Sequence, residues 1–568
     1  MHQPEAQPRH SIYYDYQVHP AWLPPAGAPA MHEPVVIVGA GPVGLCAALL
    51  LARMGQRCLV LESELQVSEG SRAIVFTRRS MEILQQAGVD ARITEQGLPW
   101  RFGNSFYRGQ QVFRMEAPHT EDERFHPMIN LQQQYLEEYL LDAVQAEPLI
   151  ELRWGNRVEA LRSFDHQAEL TVDTPGGDYT LNCDWLVAAD GARSVVRSQL
   201  DLKLEGASYE GRFVIADIRI DLPLPTERLA FFDPEWNPGN TVLMHREPHG
   251  IWRIDYQLPA GESPEQALQP ASLKARIDAQ LQQIGHGHLP WEMDWCSVYS
   301  ARALTLPDYR HQRVLFIGDA GHMLPIFGVR GANTGFQDAQ GLAWRLALVA
   351  RGLAPEGLLD SYSQERVGAA REIIDEAGKS TRFMTPPSRG FRLLRDAVLS
   401  LSLSEDFVRP LYHWRTSRPH AYRDSALNSP QDDSARFQGG PGPGEPPLNV
   451  RLGEGDFLLD HLQNGFELLY FTDEPALPPG LSAALAQARR EGLPLRVTAV
   501  GPEQTVADAD QTLADVDGQV RRRYGVAAPG AAYLLRPDQH VCARWTRFDV
   551  ARFNTALNNA LARPGVAA

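Results

Sequence analysis

Gly39, Gly41 and Gly44 punctuate the stretch VVIVGAGPVGL at 35–45, and Glu62 follows a second apolar run, RCLVL, at 57–61. The spacing G-x-G-x-x-G suits one chemical task. The first glycine makes a tight turn, the second lets backbone approach a pyrophosphate, and the third lets a helix pack closely on a strand. A helix that starts at Pro42 offers unbonded N–H groups and a partial positive charge to phosphate oxygens. Glu62 can accept the ribose hydroxyls of an adenosine. A bare turn needs none of these accompaniments, so the stretch reads as a dinucleotide-binding loop. The loop alone does not choose between FAD and NAD.

Such a loop must be held by a strand before it and a helix after it. The sequence predicts a buried strand over 34–39, a helix over 42–54 stopped by Gly55, and a second strand over 57–61, one βαβ unit. Helical periodicity recurs at 78–87 and 133–144. Short strands fill 151–181, and DWLVAA at 184–189 is another buried strand. A β-rich region spans 211–298, with TVLMHREPHGIWRIDYQL reading as a hairpin that turns at 247–250. RVLFI at 313–317 is again a buried strand, and helices follow over 335–351 and 358–382. QGGPGPGEPP at 438–447 is a linker, and 448–568 forms a last unit.

The 568 residues suggest three or four structural units at ~150 residues each. The apolar share of 43% is enough for several cores, and the 22% of charged residues marks a globular chain. A formal charge of −16 argues against nucleic acid and anionic membranes. The five cysteines are scattered, with no CxxC pair and no zinc spacing, which suits a reduced cytoplasmic location. No metal site is expected. No run of about 18 apolar residues exists to span a membrane. The first thirty residues lack the apolar core of a signal peptide and read as an arm or tail.

Two further stretches accompany the glycine loop: DWLVAADGARSVVR at 184–197, and RVLFIGDAGHMLPIFGVRGANTGFQDAQGLAWRLA from 313. Together, in this order, the three resemble the motifs of the FAD-dependent aromatic hydroxylases, the single-component flavoprotein monooxygenases. The resemblance covers about residues 31–390 and is greatest to hydroxylases of the 3-(3-hydroxyphenyl)propionate type. It implies an α/β chain (α+β overall): a Rossmann-like FAD-binding domain, a β-sheet substrate domain and a C-terminal thioredoxin-like domain. The expected division is an extension at 1–30; an FAD domain from 31–105, 131–205 and 299–395; and a substrate domain from 106–130 and 206–298. A helical segment and linker at 396–447 then leads to the thioredoxin-like unit at 448–568. That unit holds only Cys542, so no thiol redox chemistry is expected of it.

The resemblance also assigns residues. Asp319 stands where an aspartate holds the ribityl chain of FAD. Asp190 and Gly191 match a loop that serves FAD and the reduced nicotinamide, with Arg193 and Arg197 adding positive charge nearby. Arg72 matches an arginine that receives the nicotinamide cofactor, and Gln133 a glutamine at the ribityl region, with a register open by one. Pro325, Gly328, Gly331, Ala332 and Asn333 belong to a loop along the flavin ring. Here the chain departs from the usual P-x-F-G-G-Q-G-M-N: Val329 replaces a glycine, Arg330 a glutamine and Ala332 a methionine. Val329 takes φ > 0 poorly, so a different local backbone is expected. Arg330 either stabilises reduced flavin, binds an acidic substrate, or pairs with an acid and points away. His322 either sits near the ring or bonds backbone.

On the expected pocket wall, Arg253 corresponds to an arginine that holds a substrate carboxylate through its fork-shaped guanidinium. The alternative is a solvent-facing arginine paired with Asp255 or Glu247. His245 and Tyr256 are candidates for the phenol oxygen, although strand alternation puts Arg253 and Tyr256 on opposite faces. The implied activity is aromatic catabolism: NADPH or NADH reduces FAD, O2 forms a flavin hydroperoxide, and a small phenolic substrate, carboxylated as in 3-(3-hydroxyphenyl)propionate, is hydroxylated. A homodimer is the family's habit. The alternatives are hydroxylation or epoxidation of a larger polycyclic natural product, and a non-catalytic flavin-binding scaffold or sensor.

Overall fold

Val35, Val36 and Ile37 are completely buried because their strand is central in a parallel sheet whose two faces are both covered. Each such aliphatic side chain stabilises the fold by about 1.5–3 kcal/mol. The computed structural model describes residues 1–25, 27, 29–259, 261–325, 327–412, 419–429, 433–501 and 504–563. In it the Met31–Val38 strand pairs in parallel with Cys58–Glu62 on one side and Gly177–Ala188 on the other. Ile150–Trp154 and Val314–Phe316 extend this sheet outward, also in parallel. The Pro42–Arg53 helix provides the crossover and packs against the Gly331–Ala350 helix. This is the Rossmann-like layer.

A second, eight-stranded sheet has the strand order His322–Met323, Glu292–Thr305, Glu205–Arg219, Ile251–Gln257, Thr241–Arg246, Arg228–Phe232, Phe102–Tyr107, Gln110–Glu116. One face packs on the Pro270–Gln283 helix through Met244, Trp252, Ile254 and Tyr256. The other face turns toward the FAD-binding domain, where Phe213 packs edge-on to Phe327 at 5.4 Å. The strand pairing moves two expected boundaries. Residues Gly103 to Tyr107 pair with Arg228–Phe232, so the edge at 105 would cut a strand of this sheet. Glu292–Thr305 likewise runs through the edge expected at 299.

The C-terminal unit is a five-stranded mixed sheet of the thioredoxin-like kind, flanked by Pro479–Arg490 and Val550–Ala560. Cys542 is buried in its Val541–Trp545 strand, and burial pushes the thiol up to about 12, so it stays protonated. Glu365 on the Leu358–Met384 helix joins this unit to the FAD domain. It accepts from Arg345 at 2.5 Å and from Arg536 at 2.7 Å, all three side chains being buried.

The first 25 residues form a strap rather than a free tail. Arg9 donates to the Val67 carbonyl at 2.7 Å, and Tyr16 Oη accepts from Gly70 N and donates to Ser68 O, both at 3.2 Å. Further along, Ser11 Oγ and Ile12 N both reach Asp294 of the second sheet. The strap therefore spans the FAD domain and the substrate domain.

Candidate active site

The glycine loop adopts the geometry its spacing predicts. Gly39 has φ +107°, and a Cβ there would lie 2.5 Å from the Ala189 carbonyl oxygen. A Cβ on Gly44 would collide with the Gly39 carbonyl, whereas one on Gly41 would meet nothing within 4 Å. The loop is thus tight against protein on two sides and open on the third. The helix beginning at Pro42 has no side-chain cap and no acid in its first turn, leaving its N–H groups for an anion. Glu62 Oε2 accepts from Ala40 N at 2.8 Å, which holds its carboxylate at the strand end beside this loop.

Asp319 lies in the short turn after Val314–Phe316, and no hydrogen bond reaches its carboxylate among the described residues. The surrounding protein desolvates that carboxyl and raises its pKa, while His322, Arg72 and Arg197 pull it back down. Arg197 bonds backbone. It donates to the Ala320 carbonyl at 2.9 Å and to Ala192 O at 2.8 Å, tying the two loops together. Arg193 is exposed. Asp190 Oδ2 accepts from Val196 N at 3.1 Å, while its buried Oδ1 has no partner among the described residues. Gly191 has φ +73°, with open space where a Cβ would be.

Three consecutive glutamines divide one job. Gln132 donates to the Pro248 carbonyl of the hairpin turn at 2.9 Å, and Gln134 to Tyr16 Oη of the strap at 3.2 Å. Gln133 receives Ala73 N at 3.0 Å, and its own N–H donates to Ser71 Oγ at 2.8 Å. Gln133 therefore holds the loop that carries Arg72, whose side chain is exposed.

The ring-side loop corrects one expectation. Val329 does take a left-handed φ, +55°, a strained state for a β-branched residue. Asn333 explains how it persists: Nδ2 donates to the Val329 carbonyl at 2.8 Å and to Val75 O at 2.9 Å. Its Oδ1 accepts from Thr77 N at 2.9 Å and from Ser80 Oγ at 2.6 Å. The Asn333 side chain is thus committed to the protein. Gly331, Ala332 and Asn333 open the Gly331–Ala350 helix, which again has no side-chain cap and no acid in its first turn. Buried Arg330 occupies the N-cap position. Gly328 has φ +96°, and Pro325 is buried. Ile326 lies outside the described residues.

His322 bonds a side chain rather than backbone, and its buried Nδ1 has no partner among the described residues. Its Nε2 lies 2.6 Å from Asp338 Oδ2, and Asp338 Oδ1 accepts from Arg366 Nε at 2.6 Å.

On the pocket wall two expectations are corrected. Arg253 is buried, and its fork is already occupied. Nε and Nη2 donate to the two oxygens of Asp217 at 2.8 and 2.7 Å, and Glu247 Oε1 lies 3.5 Å from Nε. Nη1 and Nη2 also donate to the carbonyls of Arg72 and Ser71. With four of its five N–H groups donating to protein, Arg253 is neither a free carboxylate anchor nor a solvent-facing arginine; it docks the Arg72 loop onto the sheet. Tyr256 points the other way, into the apolar layer, with its ring 5.6 Å from Trp236. Strand parity makes it a core residue rather than a phenol contact. His245 does lie on the flavin-side face, directly across from Arg253. Burial and the neighbouring Arg228 and Arg253 hold its imidazole well below its ordinary pKa, hence neutral. The sequence reading missed Asp217 and Arg228 and named Asp255 only as a partner for Arg253; all three share this face. The residue parity of the strands carried that signal.

An open glycine cradle, two uncapped helix starts, an orphaned Asp190 oxygen and an unbonded Asp319 carboxylate fit a flavin dinucleotide. Residues 32–377 match the family described as FAD binding domain. The chain belongs to that family. A 3-(3-hydroxy-phenyl)propionate/3-hydroxycinnamic acid hydroxylase of Klebsiella pneumoniae is 28% identical over 521 residues, 90% of this chain and 91% of the relative. The enzyme of the same description from Comamonas testosteroni is 31% identical over 368 residues, 64% of this chain and 61% of that one. The solved structure of the flavin-dependent monooxygenase PieE, in complex with FAD and substrate, is similar with a TM-score of 0.79 at 24% identity. That similarity covers 94% of this chain and 100% of PieE. The aklavinone-11 hydroxylase with FAD and aklavinone gives 0.74 at 25% identity, covering 94% and 99%. This member of the FAD-dependent aromatic hydroxylase family is a flavoprotein monooxygenase. No helix among its described residues is long and apolar enough to cross a membrane.

Proposed function

We propose that this enzyme uses NADH or NADPH and O2 to hydroxylate a carboxylated single-ring phenol of the 3-(3-hydroxyphenyl)propionate type. The observation that carries this reading is the juxtaposition of the flavin cradle with a sheet face bearing Arg228, His245 and Asp255. A small acidic phenol finds one cation, Arg228, and a proton acceptor on such a wall, whereas a purely apolar wall would suit a hydrocarbon. Hydroxylases of this substrate at 28% and 31% identity support the substrate class.

Bound FAD would accept a hydride from the nicotinamide and pass one atom of O2 to the ring. The chain's own residues do the rest. The N–H groups after Gly41 and the Asp319 carboxylate hold the dinucleotide. The first turn at Gly331–Asn333 offers donors and a positive helix end to its ring. Arg253 fixes the Arg72 loop against the sheet, which positions Arg72 to receive the nicotinamide. Phe213 and Phe327 close one end of the interdomain space against water.

A second reading, a larger polycyclic substrate, is supported by the likeness to an aklavinone-11 hydroxylase over 94% of this chain. We place the enzyme in the cytoplasm, consistent with five unpaired cysteines, and as a homodimer. Exposed Leu393, at 71%, and Leu394, at 58%, on the Arg389–Leu401 helix support a second copy covering that face.

The test is NADH and NADPH oxidation by FAD-loaded protein against phenols with and without a carboxylate chain, with product analysis. Hydroxylated product from carboxylated phenols supports the first reading. Activity on fused-ring phenols alone supports the second.

A further inference from the structure

We propose that Asp255 is the general base that accepts the phenolic proton of the substrate. This inference rests on the hydroxylase reading above and adds the residue that activates the ring.

Alternation along Ile251–Gln257 sends Ile254 and Tyr256 into the apolar layer and turns Arg253 and Asp255 toward the FAD domain. Asp255 sits in the middle of the sheet, between Ile215 on one neighbouring strand and Leu243 on the other. One row away, Arg253 bonds the carbonyls of the Arg72 loop. One row the other way, Phe213 meets Phe327 of the ring-side loop at 5.4 Å. Asp255 is therefore bracketed by the two segments that flank the flavin.

Its bonding sets it apart from the acids beside it. Asp217 is locked into a two-bond fork with Arg253, and Glu247 lies against the same guanidinium. No hydrogen bond or ion pair reaches the Asp255 carboxylate among the described residues, and the side chain keeps 8% exposure where Asp217 has none. A carboxylate held open between Ile215 and Leu243, with no ion pair of its own, is costly unless something uses it.

The charged and titratable groups around it are Arg253 on its own strand, Asp217, Arg228, His245 and Tyr299 on the other strands, and Glu247 at the turn. Burial dominates and, with Asp217, pushes the carboxyl up to about 7 against the pull of Arg253 and Arg228. That matters for proton transfer. An ordinary aspartate near 3.9 faces a phenol near 10 with about a millionfold equilibrium deficit. A carboxyl near 7 reduces this to about a thousandfold, and the two guanidiniums favour the phenolate that forms. In the step, the phenol O–H breaks, its electron pair stays on oxygen as phenolate, and the proton moves to a carboxylate oxygen of Asp255. The ring gains the electron density that oxygen insertion needs. The proton returns to the phenolate of the product on release, so the base is regenerated.

The experiment compares wild type, Asp255→Asn and Asp255→Glu, each FAD-loaded, with 3-(3-hydroxyphenyl)propionate as probe from pH 5.5 to 9.5. The expected wild-type rate rises through pH ~7. Asp255→Asn should lose about 100-fold or more at pH 7, keep its FAD, and recover only as the free phenol ionises. Asp255→Glu should restore part of the rate and the limb near neutrality. A variant Asn enzyme within threefold of wild type across the range overturns the proposal while leaving the hydroxylase reading intact. A wild type that oxidises no nicotinamide with any phenol removes the hydroxylase reading, and the proposal with it.

A substrate-free readout guards against misfolding. Infrared difference spectra of Glu467→Gln protein, which lacks another carboxyl raised to about 7, should show a carboxyl band titrating near neutrality that persists when Glu247, also raised by burial, is changed to Gln. Absence of that band overturns the proposal even if Asp255→Asn cannot be made.

Discussion

Arg253 and Asp217 lie opposite one another on neighbouring antiparallel strands and close a two-bond fork at 2.8 and 2.7 Å, both buried. The same guanidinium bonds the carbonyls of Ser71 and Arg72, so one side chain neutralises the sheet and anchors a cofactor-side loop. Replacing Arg253 by Ala leaves Asp217 and Glu247 buried without their cation. We expect a loss of about 3–5 kcal/mol in urea unfolding. A residue that only anchored substrate would instead raise KM and leave the unfolding midpoint in place.

The glycine loop separates packing from binding. Gly44→Ala should destabilise the protein, because the new methyl meets the Gly39 carbonyl. Gly41→Ala should leave the melting temperature of the FAD-free protein within a degree or two, because space there is open, yet weaken FAD at least tenfold. Thermal melts paired with FAD titration by fluorescence decide both.

Asp319→Ala removes a carboxylate that no described protein group bonds. FAD retention on a desalting column should fall sharply, with little change in the stability of the FAD-free chain. A large drop in that stability would mean the residue holds the fold.

Acid should unfold the seam between the FAD and thioredoxin-like domains. Burial opposes ionisation of Glu365, but Arg345 and Arg536 override it and hold its carboxyl down at about 2. In the unfolded chain the group titrates near 4.3, so the folded state gains stability above that pH and loses it as pH falls from ~4.5 toward 2. Glu365→Gln should lower the melting temperature at pH 7 and flatten this acid limb. Melting curves from pH 7 to 3 measure both effects.

The N-terminal strap should govern the mobility of the Arg72 loop. Tyr16 fixes Gly70 and Ser68, and Arg9 fixes Val67. Deleting residues 1–22 should speed amide exchange over 64–72 by tenfold or more while the Met31–Val38 strand stays protected. Unchanged exchange in that loop would show that the strap only covers surface.

The sequence by itself determined the parts whose physics is local. G-x-G-x-x-G and Glu62 specify a turn, a helix start and an acid within one βαβ unit, and each falls where short-range geometry puts it. The helix read over 78–87 spans Arg78–Ala87 because its apolar period and the following Gly88 act within a few residues. The hairpin turn at 247–250 and the lone Cys542 were legible for the same reason. Tertiary structure decided what depends on distant partners. Arg253 reads from sequence as an anchor because its fork is visible and Asp217, thirty-six residues away, is not paired with it by any local rule. Val329 accepts a strained φ because Asn333 ties its carbonyl to a strand some 250 residues earlier. The strap's course and the open carboxylate of Asp255 also appear only once the sheets have packed. Charge pairing, burial and strain are sums over neighbours in space, and the chain order does not list those neighbours.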